Sequence, residues 1–409
     1  MRGVVLSIAL VCGLAGGAVA QGNGGNALFA QGRFAEAAGA YKAVPPGGPE
    51  FQTSLRRLGA IALYENRFDE AQRDLLDALG RDASDMKTES LLAELASRQG
   101  KFAQAAAWLT RAGKPDRAAA FAAFGNVVPY RIVSPAKGAE IPFVQTDPLP
   151  VVRARVNGRD GLFIIDTGGA EIVLDPTFAA KAGVKSVGGS TGTFAGGKTA
   201  AISYGRVTRL SLGALQIADV PAALVSTAGF SGVTGGKPVA GVIGTSLLMR
   251  FLSTVDCIHG KLVFAPRDVA PPKGDVVATI PFWLIGDHFI LARGRLDGGA
   301  EQMMLIDTGL SGFAFTAPES TLRDAGLPVP TPARTGADAV GNSAIAPFDI
   351  ASLTLGDLSA KNLQGLYGPF PPSLENALGV HIGGLVSHGF FRPYAITFDF
   401  TRMTIVVRK

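Results

Sequence analysis

The sequence predicts an all-β fold of two related barrel lobes, preceded by an all-α domain of helical repeats. Three observations carry this reading. Phe163-Ile164-Ile165-Asp166-Thr167-Gly168 recurs as Met304-Leu305-Ile306-Asp307-Thr308-Gly309, 141 residues later. Further matched segments surround both copies at nearly the same offset. Between residue 21 and about residue 126, the chain is instead Ala-rich and repeats with a period of 34 residues.

Composition sets the bounds. The chain has 409 residues, 47% hydrophobic and 17% charged, enough for two or three packed domains. A net charge of +5, with no concentrated basic face, gives no support for nucleic-acid binding. Met1-Arg2, the apolar run from Gly3 to Gly17 and Ala18-Val19-Ala20 read as a signal peptide over residues 1–20, cleaved after Ala20. The run is shorter than the roughly 20 residues of a spanning helix, so a membrane-spanning anchor is not expected. Cys12 falls within this segment and Val11 does not suit lipid attachment. Cys257, expected as a small core residue on a strand, is then the one thiol left. An exported chain without disulfides suits a periplasmic or secreted protein.

Residues 21–126 form the helical-repeat domain. Phe34, Phe68 and Phe102 share the 34-residue step with Ala37, Ala71 and Ala105, and with the turn positions Gly32, Asn66 and Gly100. This period resembles tetratricopeptide repeats. A cluster from Pro45 to Pro49 separates the first repeat from the second, and Pro115-Asp116-Arg117-Ala118 begins a capping helix. Such a stack offers a groove for peptides or a partner protein, or serves as a packing cap on the β part of the chain. The change of pattern near residue 126 predicts that the two parts are separable.

Lobe 1 is expected over residues 127–264, a Pro-rich linker over 265–274 and lobe 2 over 275–409. Val151 to Val156 alternates, Asn157-Gly158 marks a hairpin turn, and Gly161 to Ile165 returns towards Asp166. Ile141-Pro142-Phe143 is answered by Ile280-Pro281-Phe282. Pro176 and Pro318 begin short helical segments that close on Ala182-Gly183-Val184 and Ala325-Gly326-Leu327. Gly241-Val242-Ile243-Gly244 is answered 143 residues on by Gly384-Leu385-Val386-Ser387, and Asp256 by Asp399. A duplicated unit of roughly 140 residues, within the usual domain size, explains the whole set.

Two carboxylates brought together by such halves suit water activation. At close range like charges oppose double ionisation, so the pair retains one proton. The ionised member takes a proton from water while the protonated member polarises a carbonyl. In each motif the Thr hydroxyl is suited to locking the loop to its counterpart, and the Gly allows close approach to the carboxylate.

These residues resemble the aspartyl proteases of the retropepsin/pepsin superfamily, with two retropepsin-like lobes fused over roughly residues 130–409. The resemblance implies an aspartic endopeptidase with Asp166 and Asp307 catalytic, an extended polypeptide as substrate, no cofactor, no metal and a monomeric state. It implies loop support from Thr167, Gly168, Thr308 and Gly309, and from Gly244 and Ser387 in the strands crossing behind the two loops. Ser387 departs from the pattern, which has Gly; if positive φ were needed there, lobe 2 would be distorted. The resemblance also implies a glycine-rich flap over the substrate, placed at Phe194, Gly196 and Gly197. Pepsin-like members carry Ser or Thr three residues after each Asp; Gly169 and Leu310 stand there, which implies work at mildly acidic to neutral pH rather than near pH 2.

Competing patterns fail on context. Gly192 to Thr199 fits the phosphate-loop formula, but Ala200 to Leu212 alternates like a strand where a helix is required. His259, His288, His381 and His388 have no zinc-like spacing and read as surface or turn residues. The alternative function is a catalytically degenerate protease acting as a peptide-binding or scaffolding module, favoured by Ser387.

Overall fold

The computed structural model describes residues 24–193, 199–332, 334–338, 341–368 and 372–409. The expected signal peptide (residues 1–20) and the expected flap residues Phe194, Gly196 and Gly197 lie outside them.

Seven helices come first among the described residues: α1 (Gly24–Ala30), α2 (Phe34–Lys42), α3 (Phe51–Tyr64), α4 (Phe68–Arg81), α5 (Met86–Arg98), α6 (Phe102–Arg111) and α7 (Pro115–Ala122). Phe34, Phe68 and Phe102 open α2, α4 and α6. Gly32, Asn66 and Gly100 all have left-handed φ, at 68°, 55° and 74°, and so reverse the chain two residues before each. Ala37, Ala71 and Ala105 are fully buried where neighbouring helices approach. Pro115 lies in the first turn of α7, where its missing N–H breaks no helical bond.

The rest is strand-rich. The hairpin Val151–Val156 and Arg159–Ile165 turns at Asn157 and Gly158, both at positive φ, and leads to Asp166. Strand Gly241–Ile243 then runs parallel to Arg159–Ile165, with Ile164 opposite Val242, and antiparallel to Ile172–Leu174. Strand Gly384–Ser387 lies in the same way, parallel to Gln302–Asp307 with Leu305 opposite Leu385, and antiparallel to Phe315–Ala317.

A six-stranded antiparallel sheet joins these two assemblies. Its order is Ala139–Gln145, Lys261–Ala265, Leu252–Asp256, Ala395–Asp399, Thr404–Arg408 and Val276–Ile285. At its centre Thr254 pairs with Thr397, and their hydroxyl oxygens are 2.8 Å apart. Most inward side chains of both assemblies form one apolar core, including Phe163, Phe264, Phe315 and Phe398.

The helices pack against the β region. Phe29, Phe34, Tyr41, Ile61 and Tyr64 share a core with Ile285, Phe289, Leu291, Met303 and Leu305 of the β region. Polar bonds reinforce the seam: Arg98 donates to the Leu284 and Gly286 carbonyls at 2.7 and 2.6 Å, and Arg250 donates to the Arg98 carbonyl at 2.9 Å. The expectation of separable parts therefore meets a shared apolar core. The change of sequence pattern coincides with a change of secondary structure.

Candidate active site

Asp166 follows the strand Arg159–Ile165 directly, and Asp307 ends the strand Gln302–Asp307. Each heads a loop that returns beneath the crossing strand, and the Asp166 N–H donates to the Ile243 carbonyl at 3.1 Å. The two loops meet through a reciprocal set of hydrogen bonds. Thr167 N donates to Thr308 Oγ1 at 3.0 Å, and Thr308 N donates to Thr167 Oγ1 at 3.1 Å. Each hydroxyl then donates across to the opposite strand, Thr167 Oγ1 to the Ile306 carbonyl (2.8 Å) and Thr308 Oγ1 to the Ile165 carbonyl (3.2 Å). Every donor and acceptor in this closed set is buried, so breaking one bond leaves a buried group unpaired.

Each carboxylate lies against the glycine of the other loop. A Cβ added at Gly168 would sit 2.6 Å from Asp307 Oδ2, and one added at Gly309 would sit 2.4 Å from Asp166 Oδ1. Both distances are below any real Cβ contact, so only glycine lets the two acids approach. Each glycine also donates its N–H to its own Asp, Gly168 to Asp166 Oδ1 at 2.8 Å and Gly309 to Asp307 Oδ1 at 3.0 Å. Both aspartates are fully buried. The two acids are thus buried, each against the glycine of the other loop.

The crossing strands differ between the two loops. Gly244 is extended (φ −91°, ψ 175°), yet a Cβ there would come within 2.3 to 2.8 Å of the carbonyls of Glu171, Gly169 and Ala170. Ser387 has nearly the same backbone angles (φ −98°, ψ 175°), so no positive φ is needed and the Ser brings no backbone strain. Its side chain has room because seven residues, 308–314, separate Asp307 from Phe315, whereas five, 167–171, separate Asp166 from Ile172. The Ser387 hydroxyl donates to the Phe313 carbonyl and accepts from Gly389 N at 3.3 Å. The close approach has moved to Gly389, where a Cβ would lie 2.4 Å from the Phe313 carbonyl oxygen.

Strands Ser186–Thr193 and Thr199–Leu212 pair antiparallel, so a strand and not a helix follows the phosphate-loop-like residues. Among the described residues no cluster of His, Cys, Asp and Glu is placed to hold a metal ion, and no helix is long and apolar enough to cross a membrane.

Two expectations from the sequence need correction. His288 does lie in a turn but is buried, and His388 is buried at the start of a short helix, neither on the surface nor in a turn. His388 follows Ser387, 3.9 Å from Asp147, and burial pushes its imidazole down to about 4. Cys257 is half-buried in the turn after Leu252–Asp256 rather than on a strand, and burial pushes its thiol up to about 12.

Residues 152–247 match a family model described as aspartyl protease, a span holding the Asp166 loop, the hairpin and Gly244. The strand-rich region carries an aspartyl protease-like domain. The structure is also similar to that of Basic 7S globulin from soybean, at 12% identity and a TM-score of 0.40, over 67% of this chain and 95% of that one. No curated protein matches the chain.

Proposed function

We propose that this chain is an aspartic endopeptidase whose water-activating pair is Asp166 and Asp307. The observation that carries the proposal is the mutual placement of the two Asp-Thr-Gly loops, each acid against the other loop's glycine and the threonines bonded reciprocally. In the reaction, the ionised member of the pair takes a proton from a water molecule, and that water attacks the peptide carbonyl carbon. The protonated member donates a hydrogen bond to the carbonyl oxygen as it gains charge. The pair then returns a proton to the departing amine, and no covalent enzyme intermediate forms. Gly168 and Gly309 hold one oxygen of each acid through their N–H groups, which fixes the carboxylate planes before substrate arrives.

The proposal extends to the architecture. Two retropepsin-like lobes arose by duplication, supported by the identical parallel register behind each loop and by the Thr254–Thr397 pairing at the centre of the joining sheet. The helices are tetratricopeptide-like, supported by the 34-residue step of their starts. Polypeptide lies between the lobes beneath the hairpin formed by Ser186–Thr193 and Thr199–Leu212. Export, with cleavage after Ala20, and a monomeric state complete the proposal.

The test is hydrolysis of a diverse peptide mixture by the wild type, Asp166→Asn, Asp307→Asn and the double variant. Each single variant should be inactive, with the double little worse, because groups that act as one unit are not additive. Substantial hydrolysis by either single variant would rule out the pair.

A further inference from the structure

We propose that Arg117, in the helical region, is a positioning residue for the Asp166 loop, so that the helices form part of the catalytic apparatus. The inference rests on the peptidase reading above and concerns its machinery.

Arg117 lies on α7, and its guanidinium grips the carboxylate of Glu171 with both terminal nitrogens, Nη1 to Oε2 at 3.2 Å and Nη2 to Oε1. Glu171 belongs to the five-residue return loop that begins at Thr167, and its side chain is only 6% exposed. The carbonyls of Gly169 and Ala170, the two residues before it, receive the N–H groups of Thr245 and Ser246 at 2.9 and 2.7 Å. Thr245 Oγ1 donates to the Thr167 carbonyl at 2.9 Å. A pull on Glu171 therefore reaches the peptide next to Asp166 through a short, fully bonded path.

The guanidinium is itself held in place, 4.6 Å from the Phe121 ring of α7 and 4.6 Å from the Tyr204 ring of the strand Thr199–Leu212. Tyr204 and Ser190 place their hydroxyl oxygens 2.9 Å apart across the hairpin, and the backbone of Asp116 packs on Gly188 of its other strand. One side chain thus touches the helical region, the loop of one acid and the hairpin. In the Asp307 loop Ala314, which cannot form an ion pair, precedes Phe315 where Glu171 precedes Ile172. A bidentate, largely desolvated pair fixes orientation as well as distance, which suits a positioning role.

The experiment compares the full-length wild type with Arg117→Met, Glu171→Gln, the Arg117→Met/Glu171→Gln double variant and Arg117→Lys. Peptide hydrolysis, thermal unfolding and amide exchange are measured on each. Arg117→Met alone leaves a buried carboxylate unpaired and is expected to lose stability, whereas the double variant removes both charges and recovers it. Positioning predicts that the double variant still has kcat lowered about 10-fold or more, with KM for a short peptide changed less than about 3-fold. Arg117→Lys, which keeps charge but not the fork, should fall between. Amides of residues 168–170 should exchange faster in the double variant, with those of 309–311 unchanged. Wild-type kcat in the stable double variant would overturn the proposal, as would unchanged exchange at 168–170. A wild type that hydrolyses nothing would sink the peptidase reading instead, and the exchange comparison would still decide the coupling.

Discussion

Gly244→Ala and Gly389→Ala should both be damaging although the two positions are not matched in the repeat. The matched partner of Gly244 is Ser387, which tolerates a side chain, while the backbone contact it would have made has moved two residues on. At Gly244 the new methyl would meet three backbone carbonyl oxygens at 2.3, 2.7 and 2.8 Å, against an ordinary contact of 3.4 Å or more. Backbone oxygens already bonded to Thr245 and Ser246 cannot swing aside, so the loop as a whole must retreat by up to about 1 Å. Overpacking of this kind costs about 1–3 kcal/mol, and the rigid surroundings put Gly244→Ala near about 3 kcal/mol. At Gly389 the clash is with the Phe313 carbonyl at 2.4 Å and its carbon at 2.8 Å. There a gain in helix propensity of up to about 1 kcal/mol offsets part of the cost and leaves about 2 kcal/mol. Ser387→Gly, in contrast, removes two hydrogen bonds without a clash and should cost about 1–2 kcal/mol. Urea unfolding measures all three, and hydrolysis measures the consequence, since a retreat of about 1 Å behind Asp166 should lower kcat about 100-fold in Gly244→Ala. A Gly389→Ala protein within about 0.5 kcal/mol of wild type would refute the idea that the close approach has moved.

Other outcomes follow from the same contacts. His388 is neutral in the folded chain down to about 4, against 6.5 when unfolded, so the unfolded chain binds the extra proton between those values. Stability should therefore fall as pH drops from 6.5 to 4, by about 3 kcal/mol at most from this residue. Glu94, raised to about 7 by burial, acts with the opposite sign over part of that range. The test is accordingly the difference between wild type and His388→Gln, which should shift against the wild type by up to about 3 kcal/mol between pH 6.5 and 4 and level off below; a pH-independent difference would contradict the assignment. A chain beginning at residue 127 bares Ile285, Phe289, Leu291, Met303, Leu305 and Leu378. Half-exposing six such side chains costs about 5–9 kcal/mol, comparable to the stability of a whole domain, so cooperative unfolding should be lost. A truncated protein that unfolds cooperatively near the full-length temperature would show that the shared core contributes little.

The sequence by itself determined whatever depends on near neighbours in the chain. The 34-residue step marked the helix starts at Phe34, Phe68 and Phe102 because helix entry is set by a local turn and a few apolar positions. Asn157-Gly158 marked its hairpin because a tight turn needs two residues that accept positive φ. The paired Asp-Thr-Gly segments and their matched flanks were visible because a repeated unit leaves its pattern at a constant offset. The tertiary structure decided what depends on pairs far apart in the chain. Arg117 and Glu171 are 54 residues apart, and neither stands out until α7 docks on the barrel. Burial of His288 and His388 depends on what covers them, which no periodicity encodes. The seam between helices and barrel looked like a boundary because secondary structure changes there, yet the apolar stripes of α1–α3 bury against strands more than 200 residues away. Ser387 looked like a defect when compared only with Gly244. Two additional residues in the neighbouring loop, together with the shift of the close approach to Gly389, removed the steric need for glycine, and only the packing of the two loops against their crossing strands could show that.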